Sequence, residues 1–206
     1  QFLGEHFVVK KTLGKSSPLL IKYQNHDIRL KDLELSLAGD FQADNAALAL
    51  SACLHHASKT GKEISEQSIR ISLKNTSWAG RMEVISSRPT ILLDIAHNPA
   101  AVKEMAKSAQ KLFSYTRVIV IYGAMKDKQS DEMLQKLTNF ADHFILVRPN
   151  QDRSESPSRL KKILKKYNAS CEVIEDIPKA IRKVKQTALS DDMVCITGSI
   201  FTVGEA

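Results

Sequence analysis

The sequence predicts an α/β fold in which a mostly parallel β-sheet carries helices on both of its faces. Two observations lead to this prediction: short apolar runs follow one another after Arg81, and helical patterns lie between most of them. Such alternation is typical of βαβ units, whose strands pair in parallel. The runs that predict strands are residues 82–85, 91–93, 118–122, 144–147, 173–174 and 193–197.

Three helices of this region have clear start signals. Asn98 is expected to cap a helix that has Pro99 at its first position. Ser156 and Pro157 open a second helix, and Asp176 opens a third. In all three, apolar residues recur at intervals of three and four, so each helix is predicted to bury one face.

Residues 1–80 precede this alternation and predict a smaller region of strands and helices. Residues 19–23 and 27–30 are apolar runs separated by a polar turn, so they are expected to pair as a hairpin. Helical spacing then starts after Asp40, and Gly61 is expected to end that helix.

A second short helix and a break in the periodicity mark the end of this first region. The helix is predicted over residues 65–73, and residues 75–80 follow it without a regular pattern. We therefore place a domain boundary at this break. The predicted domains are residues 1–80 and residues 81–206.

The composition excludes several classes of protein. The 206 residues are 43% hydrophobic and 26% charged, which is ordinary for a globular protein and unlike disordered, collagen-like or coiled-coil sequences. No apolar run approaches the roughly 18–20 residues that a membrane span needs, so we expect no membrane partner. The three cysteines form no CxxC pair, which favours a reducing, cytosolic location over a disulfide framework.

The net charge of +7 favours anionic partners but does not distinguish a nucleotide from a nucleic acid. Residues 151–187 hold ten Lys or Arg against five Asp or Glu. These basic residues fall opposite the apolar stripes of their helices, and no aromatic residues alternate with them for base stacking. We therefore interpret them as a solvated surface and expect no nucleic-acid partner.

The strongest candidate site lies in residues 90–99, where an apolar strand leads into a capped helix. The strand ends at Asp94, and His97 follows in the short loop before the helix. Open α/β sheets bind ligands outside the carboxyl ends of their strands, so both side chains lie where a ligand is expected. Asp94 could accept hydrogen bonds from a ribose, and His97 could bind phosphate or transfer a proton. The alternative is structural: Asp94 caps the loop and His97 only packs.

Two further candidates precede this strand. Arg81 follows Gly80, which permits close backbone approach, and its guanidinium suits a phosphate; an exposed surface Arg is the alternative. At the start of the first long helix, Gln42 and Asn45 project in one direction, so their amides could contact a purine edge. Asp40 as a helix cap explains part of that segment without a ligand, and from these residues alone this interpretation is favoured.

Two other motifs are interpreted as structural. Residues 14–16 (GKS) resemble the end of a P-loop, but Val9 occupies the position of its first glycine, so a turn is expected. His55 and His56 are adjacent on a predicted helix, and no further ligand spacing accompanies them. We therefore predict no metal site in this sequence.

Five segments follow one another in a distinctive order: GDFQADNA (39–46), WAGR (78–81), DIAHNP (94–99), GAMKDK (123–128) and TGSIFTVGEA (197–206). In this order they resemble folylpolyglutamate synthase/dihydrofolate synthase of the Mur ligase superfamily. The joint order is much more specific than any one segment. The resemblance implies a Rossmann-like C-terminal glutamate ligase domain, preceded by the tail of an N-terminal ATPase domain.

The resemblance also implies the chemistry. In this family MgATP phosphorylates a carboxylate, and the amino group of L-glutamate attacks the acyl phosphate, so that folate or dihydropteroate gains a glutamate. ATP and Mg²⁺ are the implied cofactors, with the metal ligands in the N-terminal part. By residue match, Asn45 resembles the nucleotide-contacting Asn, and Arg81 the phosphate-facing Arg. Asp94 resembles the Asp near the ribose, and His97 a His that activity requires.

The sequence departs from the family at identifiable positions. Ile95 stands where the family usually has Gly, and Phe41 stands before the Gln where it often has His. We expect no P-loop and no Mg²⁺ site in these residues, so we interpret the chain as the C-terminal part of a longer monomeric enzyme, inactive alone. The alternative function is a non-catalytic nucleotide-binding or interaction module.

Overall fold

The computed structural model describes residues 3–12 and 19–206 of the chain, which divides into two compact units. The first unit is Gln1–Trp78 and the second is Ala79–Ala206. The motif at residues 14–16 lies outside the described residues. Across the described part of the chain, none of the helices combines the length and the apolar character that crossing a membrane requires.

The first unit contains an antiparallel sheet and two helices. Its elements are β1 (Phe7–Thr12), β2 (Leu19–Asn25), β3 (Arg29–Leu35), α1 (Phe41–Thr60) and α2 (Glu66–Asn75). The strands pair in sequence order, and the predicted hairpin is confirmed as β2 and β3. Asn25 holds the turn, because its Oδ1 accepts hydrogen bonds from the backbone N–H groups of Asp27 and Ile28 at 3.0 and 2.7 Å.

Both predicted helices of this unit are confirmed, but the predicted cap of α1 is wrong. Gly61 ends α1 in the left-handed conformation, and the Ser65 hydroxyl caps α2 by accepting from Ser68 N at 3.1 Å. A capping side chain needs extended backbone angles at its own residue. Asp40 has helical angles instead and makes no side-chain cap hydrogen bond to α1.

The core of the first unit lies between the sheet and the two helices. Leu50 of α1 is buried in it, while Ala49 and Cys53, which share the predicted helical spacing, are exposed. The buried side of α1 is therefore centred on Ala43 and Ala47, whose small side chains let the helix approach the sheet closely. The other buried residues of this core are Phe7, Leu19, Ile21, Tyr23, Leu30, Leu33, Leu35 and Ile69.

The second unit confirms the predicted α/β fold with a six-stranded, mostly parallel sheet. Its strands are β4 (Glu83–Ser87), β5 (Thr90–Leu93), β6 (Arg117–Tyr122), β7 (His143–Leu146), β8 (Cys171–Val173) and β9 (Asp192–Thr197). In space they follow the order β4-β5-β9-β6-β7-β8. β4 runs antiparallel to β5, and the other pairings are parallel.

The helices of the second unit are α3 (Pro99–Leu112), α4 (Ser130–Leu137), α5 (Pro157–Lys166), α6 (Ile177–Thr187) and α7 (Ile200–Gly204). The three predicted N-caps are confirmed, because Asn98, Ser156 and Asp176 each accept a hydrogen bond from the backbone N–H three residues later. Neither α4 nor α7 was singled out from the sequence. α7 has five residues, too few for a periodic pattern.

Helices lie on both faces of this sheet, as predicted. On one face, the Tyr122 hydroxyl lies 3.7 Å from Met133 Sδ of α4, and Cys195 Sγ lies 3.7 Å from Met105 Sδ of α3. Successive residues of a strand point to opposite faces. Ile121 accordingly belongs to a cluster on the other face, where it packs with the buried residues of α6.

β9 is the last strand in the sequence but lies between β5 and β6. Successive crossovers carry the chain from β5 through β6 and β7 to β8 in one direction, and the next returns it to this gap. Right-handed crossovers place the helices of the outward path on one face and α6 on the other. The carboxyl ends of β5, β9 and β6 therefore meet where the strand order reverses, the usual ligand site of open α/β sheets.

Candidate functional site

Asp94 directly follows β5 and is almost completely buried, with 3% exposure. Its carboxylate accepts two backbone hydrogen bonds, Oδ2 from Met82 N at 3.0 Å and Oδ1 from Ala96 N at 2.9 Å. Its own N–H donates to the Ile196 carbonyl of β9 at 3.0 Å, which extends the pairing of β5 and β9. Asp94 thus joins the segment before β4 to the loop after β5.

Burial raises the pKa of Asp94 above its ordinary value, because the charged carboxylate loses contact with water. The two backbone N–H donors and the positive charge of Arg81 act in the opposite direction and lower that pKa. Met82 has a left-handed backbone with φ of 50°, which is costly for a residue with a side chain. Its hydrogen bond to Asp94 and its buried side chain hold it there.

Gly80 closes the same connection from the other side. Its N–H donates to Glu83 Oε2 at 2.7 Å, and its carbonyl accepts from Ile95 N at 2.8 Å. Arg81 lies between Gly80 and Met82, so its backbone is fixed on both sides, and its side chain is half-buried. Among the described residues, its guanidinium has no hydrogen-bond or ion-pair partner. Its donors are therefore available to an anion.

His97 lies in the loop between β5 and α3 and is exposed, so it does not pack in the core. Its Nδ1 lies 3.1 Å from the Ile95 carbonyl oxygen. A carbonyl oxygen can only accept, so Nδ1 carries the proton of this hydrogen bond, and Nε2 has no hydrogen-bond partner among the described residues. The next residue, Asn98, caps α3 by accepting from Ala101 N at 2.8 Å. The imidazole therefore lies beside a helix N-terminus, which attracts anions.

The structure brings Arg81, Asp94 and His97 together around one connection at the carboxyl end of β5. Asp94 is central to it, because one oxygen binds the backbone next to Arg81 and the other binds the backbone next to His97. The two hydrogen bonds agree with the structural interpretation of Asp94 as a loop cap. Contact of Asp94 with a ribose stays a prediction, as do the roles of Arg81 and His97.

Asn45, the fourth candidate, lies in the first unit on the first turns of α1. Its side chain lies beside that of Gln42, and Asn45 Nδ2 donates to Gln42 Oε1 at 3.0 Å. Gln42 is buried and Asn45 is exposed. The hydrogen bond fixes the orientation of the Asn45 amide, so its oxygen faces away from Gln42. Nucleotide contact by this amide stays a prediction.

Two further loops lie at the carboxyl end of the sheet. The first is one of the five segments that resemble the family, and the second was not predicted as a site from the sequence. Residues 123–128 follow β6, and residues 148–155 follow β7. The second loop carries two exposed guanidinium groups, on Arg148 and Arg153. The signal that could have identified it was its position directly after the apolar run at residues 144–147.

Metal-ligating side chains do not cluster in the part of the chain that the structure describes. Within residues 3–12 and 19–206, no group of three or more His, Cys, Asp or Glu could hold a metal ion. The adjacent His55 and His56 are exposed on α1. Cys53, Cys171 and Cys195 are all free thiols. The described residues therefore offer single side chains rather than a metal-binding set.

The fold and the site define a class: an α/β domain that presents a cationic group, a buried carboxylate and an imidazole where parallel strands end. Residues 80–200 match the family described as "Mur ligase, glutamate ligase domain". The chain belongs to this Mur ligase family. The resemblance to folylpolyglutamate synthase/dihydrofolate synthase within that superfamily is confirmed by relatives and solved structures.

The dihydrofolate synthase/folylpolyglutamate synthase of Bacillus subtilis is 28% identical over 175 residues, 85% of this chain and 40% of that protein. A Mycobacterium tuberculosis folylpolyglutamate synthase, complexed with ADP and AMPPCP, shares the fold with a TM-score of 0.87 at 22% identity, covering 98% of this chain and 47% of that one. The bifunctional synthase of Yersinia pestis, complexed with AMPPNP and Mn ion, has a TM-score of 0.79 at 25% identity, with 98% and 45% covered.

The chain is shorter than the proteins that it matches. It spans 21% of one curated relative and 40% of another, and less than half of the similar solved structures. The matched segment includes the connection that carries Arg81, Asp94 and His97. We therefore treat the ligands and the reactions of the longer relatives as proposals for this chain.

Proposed function

We propose that this chain is the C-terminal part of an ATP-dependent ligase that adds L-glutamate to folate or dihydropteroate through an acyl phosphate. The observation that carries the proposal is the shared anchoring of Arg81 and His97 by the buried Asp94. By the resemblance, we assign to these three residues the roles of a phosphate-facing Arg, an Asp near the ribose and a His needed for activity. The proposal is supported by matched relatives that are named dihydrofolate synthase/folylpolyglutamate synthase and folylpolyglutamate synthase.

Arg81 is the group that we assign to phosphate. Its backbone is held between Gly80 and Met82, while its guanidinium has no partner among the described residues. ATP, when bound, supplies the phosphoryl group that activates the carboxylate. A guanidinium held at a fixed position can neutralise negative charge on a phosphate without reorganising, which is how positioned charges lower a reaction barrier.

His97 is the group that we assign to positioning or proton transfer at the reacting end. With Nδ1–H donating to the Ile95 carbonyl, Nε2 is the ring nitrogen that remains available to a substrate. A neutral Nε2 can accept a proton, and a protonated one can donate to an anionic oxygen. Because His97 is exposed at the end of the sheet, a substrate can reach it without movement of the core.

Asp94 has two roles in the proposal. The first is to hold Met82 and Ala96, and through them to fix the backbones that carry Arg81 and His97. The second is the ribose contact that the resemblance implies. Both of its oxygens already accept backbone hydrogen bonds, but a carboxylate has about four lone-pair sites, so a ribose hydroxyl could still donate to it.

Among the described residues, no group of three or more His, Cys, Asp or Glu could hold a metal ion. We therefore assign no step to a metal held by this chain. In the proposal the metal ligands and the P-loop belong to the N-terminal part of the longer enzyme. The nucleotide and manganese ion in the Yersinia pestis relative support nucleotide and metal use in such an enzyme.

The remaining partners follow from the same proposal. They are the small molecules ATP, L-glutamate and folate or dihydropteroate, and the longer enzyme acts as a monomer. The basic residues of α5 and α6 are exposed and partly neutralised, for example by the ion pair of Lys183 with Glu172. A nucleic-acid partner is therefore not proposed. A cytosolic location rests on the three free cysteines.

The test is a ligase assay with the chain alone and with the longer enzyme that contains it. Each is given MgATP, L-glutamate and either dihydropteroate or tetrahydrofolate, and the glutamylated product is identified by mass. We expect product only with the longer enzyme. Nucleotide binding without product in the longer enzyme would favour the alternative, a non-catalytic nucleotide-binding module.

A further inference from the structure

The five-residue helix α7 and the residue after it contact the segment before β4, the loop after β6 and the loop after β7. Val203 packs against Gly80, because a Cβ built on Gly80 would lie 3.1 Å from Val203 Cγ1. Gly80 in turn binds the backbone of Ile95 in the loop after β5. One side of α7 is thereby attached to the connection that holds Arg81 and His97.

A second contact attaches α7 to the loop after β6. The buried Thr202 hydroxyl donates to the Gly123 carbonyl at 2.7 Å, and the Ser199 hydroxyl lies 2.8 Å from the same Thr202 oxygen. Ser199 also accepts from Thr202 N at 3.0 Å. Since the Thr202 hydrogen is used on Gly123, Ser199 donates to Thr202, and the three groups form one directed chain.

A third set of contacts attaches α7 to the loop of residues 148–155, which we name the β7 loop. Glu205, directly after α7, accepts from Asn150 N with both carboxylate oxygens, at 2.9 and 3.2 Å. The Arg153 guanidinium carbon lies 5.6 Å from the centre of the Phe201 ring, within cation–π range. α7 therefore holds this loop at two points.

The two ends of the β7 loop differ in how they are held. Its later part pairs with the loop after β6, because Glu155 N donates to the Ala124 carbonyl at 2.8 Å and Lys126 N to the Arg153 carbonyl at 2.9 Å. Its earlier part is held by the Ser154 hydroxyl, which donates to the Pro149 carbonyl at 2.7 Å, and at Asn150 by the Glu205 carboxylate. Glu205 is thus the side chain outside this loop that binds the backbone N–H of Asn150.

We propose that Glu205 is a positioning residue for the ligase reaction: by binding Asn150 N it fixes the β7 loop relative to Arg81 and His97. This inference rests on the proposed function. α7 is the common element, since its residues reach Gly80, Gly123 and the β7 loop within one turn and a half. Arg153 is kept by the same helix at the end of the sheet where Arg81 and His97 lie.

The variants are Glu205→Ala, which removes both acceptors, and Glu205→Gln, which keeps one carbonyl oxygen for Asn150 N. Glu132→Ala is the matched control, because Glu132 is an exposed carboxylate on α4 that makes no hydrogen bond or ion pair among the described residues. In the chain itself, amide hydrogen exchange is measured for Asn150. We expect exchange about tenfold faster in Glu205→Ala and near wild type in the other two variants.

In the longer enzyme, steady-state kinetics are measured per folded molecule, together with the melting temperature. We expect Glu205→Ala to lose about tenfold in kcat/KM, since small misplacements of reacting groups carry costs of this size. Its melting temperature should stay near wild type, and Glu205→Gln should restore most of the activity. A merely structural role would lower the melting temperature and leave kcat/KM per folded molecule unchanged.

The outcomes separate the two proposals. A wild-type longer enzyme without ligase activity would overturn the proposed function and the reaction role of Glu205, while hydrogen exchange would still show whether Glu205 anchors Asn150. An active wild type with an equally active Glu205→Ala variant would overturn the positioning role alone. Unchanged exchange at Asn150 in Glu205→Ala would contradict the anchoring itself.

Discussion

The Ile95 side chain packs so closely against Gly80 that no side chain fits at position 80. A Cβ built on Gly80 would lie 2.7 Å from Ile95 Cγ2, while Ile95 N donates to the Gly80 carbonyl at 2.8 Å. Ile95 stands where the family usually has Gly. Its side chain fills the space that residue 80 leaves open, in the loop that carries His97 two residues later.

Gly80→Ala should therefore destabilise the second unit by about 2–5 kcal/mol. About 1–2 kcal/mol comes from the left-handed backbone at φ of 67°, and about 1–3 kcal/mol from overpacking against Ile95. The free energy of unfolding from denaturant titration measures the effect. In the double variant Gly80→Ala, Ile95→Ala, the free-energy loss from overpacking should disappear, and the loss from the left-handed backbone should remain.

Gly61→Ala is the control that isolates the backbone cost. Gly61 has nearly the same φ, 65°, and a Cβ on it would meet nothing within 4 Å. We expect a loss of about 1–2 kcal/mol in the first unit. Equal losses at the two glycines would contradict the close packing of Ile95 on Gly80.

The sequence predicted β5, β6, β7 and β9 because these mostly buried parallel strands are short apolar runs. β8 is Cys171–Val173 and overlaps the predicted run 173–174 only at Val173. The sequence placed Asp94 and His97 correctly at the end of β5 from the apolar run of that strand. It could not predict the hydrogen bond of Asp94 to Met82, because the two residues lie twelve positions apart and meet through an antiparallel pairing with a left-handed turn.

Other differences have local causes. Asp40 was expected to cap α1, but capping depends on the backbone angles of the residue, which its identity does not determine. α7 was missed because five residues cannot show a helical period. Its importance comes from contacts with Gly80, Gly123 and Asn150, which lie 55 or more positions earlier in the chain.

Asp192→Asn should destabilise the second unit strongly near neutral pH and weakly in acid. Asp192 is buried at the start of β9, where Arg117 Nε donates to its Oδ1 at 3.2 Å and Leu189 N to its Oδ2 at 2.8 Å. The Arg117 guanidinium, helped by Leu189 N, holds the pKa of Asp192 below its ordinary value of 3.8. Losing a hydrogen-bonded charge of this kind costs about 1.5–3 kcal/mol.

The pH dependence follows from the direction of that shift. A lowered pKa in the folded state gives stability that is present above pH 3.8 and is lost as the pH falls through the folded value. Wild type and Asp192→Asn are therefore compared by denaturant unfolding near pH 7 and at about pH 2–3, where the gap should shrink. A gap of the same size at both values would contradict the ion pair.

Arg81→Ala should raise the KM for ATP and lower kcat in the longer enzyme, because a guanidinium without a partner among the described residues is available to phosphate. The loss should be about 1.5–3 kcal/mol in transition-state stabilisation, as for other charge-assisted contacts. Arg182→Ala, on the exposed side of α6, is the control and should behave as wild type. Unchanged kinetics in a folded Arg81→Ala enzyme would support the alternative, in which Arg81 is an exposed surface residue.

The same substitution has a consequence in the chain alone, without any ligand. The charge of Arg81 lowers the pKa of Asp94, so Arg81→Ala should raise that pKa further above its ordinary value. Carboxyl NMR titration of Asp94 in both proteins measures the change. An unaltered titration would mean that Arg81 lies too far from Asp94 to act on it.

His97→Ala should lower kcat and Asn98→Ala should lower stability, although the two residues are adjacent. His97 is exposed and contacts the Ile95 carbonyl, so its loss should leave the melting temperature near wild type. In the longer enzyme it should lower kcat by about 10²-fold, the scale of a positioned acid–base or electrostatic group. Asn98→Ala removes the cap of α3 and should cost about 1 kcal/mol of stability, with kcat per folded molecule nearly unchanged. A destabilised His97→Ala enzyme with wild-type kcat would contradict the role assigned to His97.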